Sequence, residues 1–408
     1  MADRSLAWAL STVMKILFHH RIASRDGQSV HMDELIAALQ RQGHDTIVVG
    51  PARIASERFG CEAGMVGRLK RWLPRWTYEL LEVGYNLVAW RRLAQAVREH
   101  RPDAIYERYN LFLLCGPAVA RRAGLPFLLE VNAPLCEERA RHSGLSLHAF
   151  AHFCEGWVWR AADRVLPVTQ VLGAEVAARG VPPDRIAVIP NGVNRHRFAA
   201  VVDGEAAKRK LGLEGRLVLG FTGFVRAWHG LEDIVAVLGE LGDGDNAHLL
   251  VVGDGPARAS LERRAEALGL RHRLTVTGVI DRDAVTDHIA AFDIALQPAV
   301  TAYASPLKLF EYMALGRAIL APDTPNIREV LTDRQDALLF DPDQPKALTD
   351  AIRTLCADPA LRRQIAEQAS ATIERRAFTW DRNADRIVQM IQHPPAGQMP
   401  PAALRTQP

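Results

Sequence analysis

Short apolar runs alternate with amphipathic stretches from residue 15 onward. KILFH at 15–19 predicts a buried strand, HMDELIAALQRQG at 31–43 predicts a helix that ends at its glycine, and DTIVVG at 45–50 predicts the next strand. This order of strand, helix and strand is typical of a parallel sheet. Because MKILFHH enters the first strand directly, we expect Met14 to lie close to the functional start.

The alternation continues to about residue 198 and begins again with the strand RLVLGFTG. The sequence therefore predicts an α/β protein with two doubly wound, Rossmann-like domains, at 14–198 and 206–378, which face each other across a cleft. The closing helix, 379–393, is expected to pack back on the first domain. The ends, 1–13 and the proline-rich 394–408, are expected to be flexible.

Composition excludes several classes of protein. A balance of 50 Lys and Arg against 47 Asp and Glu gives no argument for nucleic acid as a partner. The five cysteines are scattered, and no apolar run is long enough to cross a bilayer, so a cytoplasmic protein is expected. The basic, tryptophan-bearing run 67–93 fits either peripheral contact with an anionic membrane or a solvated basic face with its tryptophans in the core.

The most informative stretch is SPLKLFEYMALGRAIL, residues 305–320, which predicts a helix between Pro306 and Gly316. Lys308 falls in the first turn, where a cation opposes the helix dipole unless an anion is bound there. Glu311 follows three residues later on the same face. The pair predicts a diphosphate held by Lys308 and a ribose held by Glu311, although a surface Lys–Glu pair on a capped helix is the alternative.

A second loop, GFTGFVRAWHGLEDIV at 220–235, follows a predicted strand. Gly223 allows a ligand to approach the backbone closely, and Arg226 and His229 project from the same loop. At the carboxyl edge of a parallel strand these residues would line a ligand crevice. Arg226 could equally be plain solvated surface.

In the first domain, Gly27 lies in the loop after the first predicted strand and could approach a phosphate. His31 is expected on the first turn of the helix rather than in a catalytic role, and Arg108 could simply pair with a nearby carboxylate. Polar residues that end or follow strands at the same crevice edge are candidates for acceptor binding. The acceptor-side candidates are Arg21, His31, Glu107, Arg108 and Asn132.

Three Asp-x-Asp triplets occur, at 243–245, 281–283 and 341–343. Paired aspartates can hold a divalent cation beside phosphates. The triplet is too short to be specific, and Asp281 and Asp283 also fit the N-terminal cap of a following helix. We expect no metal site.

Four segments together resemble the retaining glycosyltransferases of family 4, which have the two-domain GT-B fold. They are VIPNGVNRHRF, FTGFVRAWHG, LLVVGDGPARASLERRAEALGLRHRLTVTGVI and DIALQPAVTAYASPLKLFEYMALGRAILAP. The resemblance implies a nucleotide-diphosphate sugar bound mainly by the second domain, a saccharide or lipid-linked acceptor bound by the first, and no metal or other cofactor. It also favours a role in polysaccharide or lipid-linked glycan assembly.

The sequence departs from that family at two places. Phe224 and His229 stand where the family often has Arg and Lys, and Tyr303 stands where it has the first Glu of a Glu-x7-Glu motif that ends at Glu311. We expect Arg226 to supply the missing charge. Backbone N–H groups around Ser305 and Leu307 would then hold the sugar or phosphate.

The expected mechanism stabilises the charge that builds on the leaving diphosphate. Lys308, Arg226, His229 and the helix N-terminus at Pro306 form the anion site, and main-chain groups near Val279 and Ile280 meet the base. Two rivals stay open. A GT-B epimerase or phosphorylase would use the same phosphate site, and a non-catalytic nucleotide-sugar-binding subunit would show no turnover.

Overall fold

The computed structural model describes residues 13–22, 27–51, 74–198, 203–241 and 246–393. Within these ranges the chain forms two parallel sheets, and each sheet has a hydrophobic core on both of its faces. This confirms the predicted α/β class with two Rossmann-like units. Most of the two predicted flexible ends lies outside the described residues.

The first sheet has the strand order β2-β1-β3-β4-β5. Its strands are β1 (Lys15–His19), β2 (Asp45–Val49), β3 (Ala104–Arg108), β4 (Phe127–Val131) and β5 (Arg164–Pro167). The accompanying helices are α1 (Gly27–Arg41), α2 (Arg75–His100), α3 (Cys115–Ala123), α4 (Leu135–His142), α5 (His148–Ala161) and α6 (Gln170–Ala178).

The second sheet has the order β11-β10-β9-β6-β7-β8. Its strands are β6 (Leu217–Thr222), β7 (Ala247–Val252), β8 (Leu274–Val276), β9 (Ile294–Leu296), β10 (Ala318–Pro322) and β11 (Leu338–Phe340). The helices are α7 (Arg195–Phe198), α8 (Gly204–Lys210), α9 (Leu231–Leu241), α10 (Arg258–Ala267), α11 (Val285–Ala290), α12 (Leu307–Ala314), α13 (Pro325–Arg328), α14 (Ala347–Ala357), α15 (Pro359–Arg376) and α16 (Trp380–Gln392).

The strand order indicates where the ligand crevice of each sheet lies. In the first sheet the order reverses between β1 and β3, and in the second it reverses between β6 and β9. Ligands of open α/β sheets bind at the carboxyl ends of strands where the order reverses. β6 runs directly into the Gly223 loop, and the segment after β9 leads to α12, so both predicted anion loops lie at one such edge.

The chain crosses from one sheet to the other twice, and the two crossing segments are hydrogen-bonded to each other. The backbone N–H of Val193 donates to Phe378, and that of Trp380 donates to Val193, at 3.0 and 3.2 Å. Beyond the second crossing, α16 packs against α1 within the core of the first sheet. An Arg41–Asp381 ion pair of 2.6 Å joins the same two helices. The exact domain limits at 198 and 206 stay predictions.

Gly253, the residue after β7, lies directly against the Gly223 loop. Its φ is +144°, and a Cβ there would stand 2.1 Å from the carbonyl oxygen of Gly223. Both the backbone conformation and the space therefore require glycine.

We predict that Gly253→Ala lowers the free energy of unfolding by at least about 2 kcal/mol, because backbone strain and steric overlap add. Gly215→Ala is the matched control: φ is +69° there, but nothing lies near the added methyl group. The control should cost only about 1 kcal/mol. Urea unfolding of both variants measures the difference, and equal losses would contradict the close approach of the two loops.

Candidate active site

Lys308, the second residue of α12, has an ammonium that the described residues leave without a hydrogen bond or ion pair. It lies 3.7 Å from the centroid of the Phe221 ring and 3.4 Å from where a Cβ on Gly223 would be. Burial lowers the pKa of Lys308 to about 7, against the opposing effect of Glu311. An unpaired cation at a helix N-terminus is costly unless an anion neutralises it, so this position suits a phosphate.

Glu311 lies one turn further along α12 and faces cations from several elements. Burial raises the pKa of Glu311 to about 7, while Arg282, Lys308 and Arg197 act to lower it. Arg282 itself donates to Glu34 of α1 at 2.6 Å, which joins this group to the first sheet. The Glu311 carboxylate is therefore able to accept hydrogen bonds from hydroxyl groups of a ligand.

The Gly223 loop supplies a neutral histidine rather than a second buried cation. The backbone N–H of Arg226 donates to Nδ1 of His229 at 3.2 Å, which leaves the ring proton on Nε2. Burial, followed by Lys308 and Arg226, lowers the pKa of His229 to about 3. His229 can thus contribute a hydrogen bond to an anion but no charge.

Arg226 is exposed, and its guanidinium lies 5.2 Å from the centroid of the Phe224 ring. The first departure from the family pattern, Phe224, therefore supports the arginine through its ring face. Arg226 and Lys308 both lie close enough to His229 to lower its pKa, so the two cations share one region.

On the other side of the cleft, Glu130 at the end of β4 accepts four hydrogen bonds. The donors are Tyr106 at 2.5 Å, Arg108 at 2.8 Å, His31 at 2.8 Å and the amide of Asn132. Burial alone would raise the pKa of Glu130, but His31 and Arg108 hold it well below its usual range. Three of the acceptor-side candidates, His31, Arg108 and Asn132, therefore meet on one ionised carboxylate.

This cluster continues into the second half of the chain. His31 Nδ1 lies 2.6 Å from the side-chain oxygen of Asn191, and the Asn191 amide nitrogen donates to the carbonyl of Ser305. The backbone N–H of Asn191 also donates to the Ser305 hydroxyl at 3.2 Å. The acceptor-side edge is thus bonded to Ser305, which lies two residues before the first residue of α12.

The two remaining acceptor-side candidates stand apart from this cluster. Arg21 pairs with Glu82 at 3.0 Å, and Glu107 is fully buried against His19 at 2.5 Å. Burial raises the pKa of Glu107, and His19 acts against that rise. Both residues therefore have structural partners, and the structure does not bring them to Glu130.

The remaining donor-side candidates occupy varied positions. Val279 is exposed, and Ile280 packs against a hydrophobic core of the second sheet. Leu307 packs against a hydrophobic core of the first sheet. Pro306 precedes α12, and no side chain caps that turn. Gly27 is the first residue of α1, and the four residues before it lie outside the described part of the chain.

Tyr303, the second departure, bridges the cleft. Its hydroxyl donates to Glu138 of α4 at 2.9 Å, and its carbonyl accepts from the Thr169 hydroxyl at 2.9 Å. Burial, with Glu138 beside it, raises the pKa of Tyr303. A residue in the place of a family glutamate therefore ties the donor-side loop to the first sheet.

Among the described residues, no group of three or more possible metal-binding side chains includes an aspartate of the triplets at 281–283 and 341–343. Neither Asp281 nor Asp283 caps the helix after it, which corrects that expectation, because Asp281 makes no capping bond and Ala284 precedes α11. The triplet at 243–245 lies outside the described residues, and Asp341 bonds the backbone N–H of Asp343. A cysteine, histidine and glutamate do meet at Cys136, His152 and Glu155.

Glu155 in that group is already bound by other donors. Its carboxylate accepts from the Tyr109 hydroxyl, the Cys136 backbone N–H and Arg179, at 3.0, 3.1 and 2.9 Å. With both oxygens used in this way, the group serves structure.

Comparison with known proteins agrees with this arrangement. Residues 25–197 match the profile of Glycosyltransferase Family 4, and residues 203–372 match that of Glycosyl transferases group 1. The chain belongs to glycosyltransferase family 4. It has the GT-B fold, and it is a hexosyltransferase of a type that uses nucleotide sugars.

Among its relatives, a 2-deoxystreptamine glucosyltransferase of Streptomyces kanamyceticus is 28% identical over 78% of this chain and 82% of its own length. A GDP-mannose-dependent alpha-mannosyltransferase of Mycobacterium tuberculosis is 25% identical over 77% and 80%. The crystal structure of Anabaena HepE with UDP-glucose has a TM-score of 0.70, at 19% identity over 92% of this chain and 98% of that one.

Membership of this family sets the non-catalytic rival aside, since the named relatives are glycosyltransferases.

The sequence analysis missed four residues that join the two halves of the site. They are Glu34, Glu138, Asn191 and Arg282. Asn191 lies inside the VIPNGV segment, and Glu34 follows His31 by three residues on the same helix face, so a signal existed for both.

We predict that the affinity for an intact nucleotide sugar is greatest near pH 7. Above the pKa of Lys308, about 7 in the free enzyme, binding must take up a proton, so affinity falls as pH rises. Below the pKa of Glu311, also about 7, the carboxylate is protonated and no longer accepts from ribose hydroxyls, so affinity falls as pH decreases. Titration calorimetry between about pH 5.5 and 9 measures both limbs.

Two variants separate these effects. Lys308→Met should remove the fall in affinity above pH 7 and keep the fall below it. Glu311→Gln should remove the fall below pH 7 and keep the fall above it. A wild-type affinity that does not change with pH would show that neither group meets the donor.

Proposed function

We propose that this protein transfers a hexose from a nucleoside diphosphate sugar to an acceptor hydroxyl, with retention of anomeric configuration and without a metal ion. The observation that carries the proposal is the unpaired ammonium of Lys308 in the first turn of α12, beside Gly223 and below the face of Phe221. That arrangement fits a diphosphate and leaves Glu311 in reach of the adjoining ribose.

The chemical difficulty is the negative charge that builds on the bridging oxygen as the diphosphate leaves. Lys308 becomes fully protonated when the diphosphate binds, and Arg226 adds a second positive charge at the mouth of the loop. His229 contributes its Nε2–H. Groups that are fixed before the reaction stabilise such a transition state without reorganisation, which makes this the largest expected contribution to rate.

The state of the carboxylates on the acceptor side argues against a double displacement as the route to retention. A double displacement needs a free carboxylate as nucleophile. Glu130 is bound by four donors and Glu107 is buried against His19, so neither is free to attack. The name of the mycobacterial relative records an alpha-mannosyl product from GDP-mannose. We infer attack by the acceptor on the face that the diphosphate leaves.

We propose a saccharide or lipid-linked acceptor, in polysaccharide or lipid-linked glycan assembly. The surface of the first sheet supports a peripheral lipid contact, because eight of the thirteen exposed large hydrophobic side chains among the described residues lie on α2 and α5. Trp76, Phe153 and Trp157 are among them. The segment 67–73, the basic start of the predicted run, lies outside the described residues, and no described helix is long and apolar enough to span a bilayer.

A GT-B epimerase or phosphorylase would use the same phosphate site. Product analysis separates these reactions, since an epimerase needs no acceptor and a phosphorylase requires free phosphate. The donor itself is found by thermal stabilisation with a panel of nucleotide sugars, where a ligand at 100 times its Kd adds about 2.7 kcal/mol.

We predict that Lys308→Ala lowers kcat by about 10²–10³, the usual loss for one fixed group that stabilises developing charge. Lys210→Ala is the matched control, since Lys210 lies in the same half of the chain in an exposed ion pair with Asp287. Steady-state rates of donor consumption measure both variants. Near-normal turnover of Lys308→Ala would remove this lysine from the mechanism.

We predict that activity survives exhaustive treatment with EDTA, because Lys308, Arg226 and the N-terminus of α12 meet the diphosphate charge. Asp341→Asn should likewise have no effect. Loss of activity with EDTA, followed by recovery with Mg²⁺ or Mn²⁺, would contradict the anion site and return the aspartate triplets to consideration.

A further inference from the structure

Both ring nitrogens of His31 lie within hydrogen-bond distance of side chains on other elements. It is buried on α1, with Nε2 at 2.8 Å from Glu130 and Nδ1 at 2.6 Å from the Asn191 side-chain oxygen. The orientation of the Asn191 amide is fixed, because its nitrogen donates to the Ser305 carbonyl. The ring therefore lies between two fixed side chains, the Glu130 carboxylate and the Asn191 amide.

The far end of this chain of bonds is the start of α12. Asn191 binds Ser305 twice, through its side chain to the carbonyl and through its backbone N–H to the hydroxyl. Pro306 has no N–H group, and no side chain caps the first turn of α12. The helix start that carries Lys308 is therefore held from outside its own sheet.

We propose that His31 is a positioning residue for sugar transfer. Through Asn191 and Ser305 it fixes the first turn of α12, and so places the Lys308 ammonium at the leaving diphosphate. Its other bond anchors it on Glu130, the carboxylate that also binds Arg108 and Asn132. The position of the donor-side cation thus depends on the acceptor-side edge. This inference rests on the proposed function for the role of Lys308.

The alternative is that His31 only holds the two halves of the molecule together. Glu329 provides a matched comparison, because it also makes two hydrogen bonds across the cleft, to the backbone N–H groups of Gln170 and Val171 at 2.7 and 3.1 Å. These bonds lie at the start of α6 and touch neither Ser305 nor α12. Glu329→Ala therefore removes two cross-cleft bonds without affecting the helix start.

The experiment compares His31→Ala, Asn191→Asp and Glu329→Ala. Asn191→Asp keeps an acceptor for His31 but loses the donation to Ser305. We expect His31→Ala and Asn191→Asp each to lower kcat by about tenfold to a hundredfold, as a displaced catalytic group does, with less than about a threefold change in the donor KM. His31→Gln, which keeps one donor, should recover part of the loss, and Glu329→Ala should keep kcat within about threefold.

Hydrogen exchange of the α12 amides provides a second measurement that needs no turnover. Exchange at residues 307–311 should quicken in His31→Ala and Asn191→Asp but not in Glu329→Ala. Equal effects of His31→Ala and Glu329→Ala on kcat and exchange would overturn the proposal, and so would a normal kcat in Asn191→Asp. If wild-type protein turns over no nucleotide sugar, the proposed function fails, while the exchange result still decides the link. If His31→Ala does not fold, Asn191→Asp carries the test.

Discussion

A positive charge that forms no hydrogen bond or ion pair among the described residues constrains the arrangement of the site. The ammonium of Lys308 lies against the face of Phe221 at the start of α12, where the helix dipole opposes it. Such a charge is tolerable only if water or an anion reaches it. The glycine loop at 223, the neutral state of His229 and the cation-facing Glu311 are all consistent with one requirement, which is space and hydrogen bonds for a diphosphate.

Features that depend on neighbouring residues were predictable from the sequence. Gly316 follows α12 with φ of +57°, and Gly43 follows α1 with φ of +84°, because glycine ends helices through local backbone geometry. Lys308 and Glu311 share a face because helices repeat every three to four residues. The strand β11 (Leu338–Phe340) was not among the strands predicted from the sequence.

Pairings across the cleft were not predictable in this way. Arg282 and Glu34 are separated by 248 positions, and Asn191 and His31 by 160, so no local pattern links them. His229 shows a related limit. Its residue type alone does not fix its charge, because the neutral state follows from burial and from two nearby positive charges that only the fold brings together.

The paired crossings at Val193 and Thr379 bear on how such enzymes diversify. Both junctions between the halves lie in one hydrogen-bonded patch, where a Cβ on Gly192 would stand 2.7 Å from the backbone of Thr379. The segment between the two crossings is thus a cassette whose ends meet. Recombination that replaces it would exchange the second sheet and both of its anion loops while disturbing one small patch, and α16 would stay with the first sheet, to which it is packed.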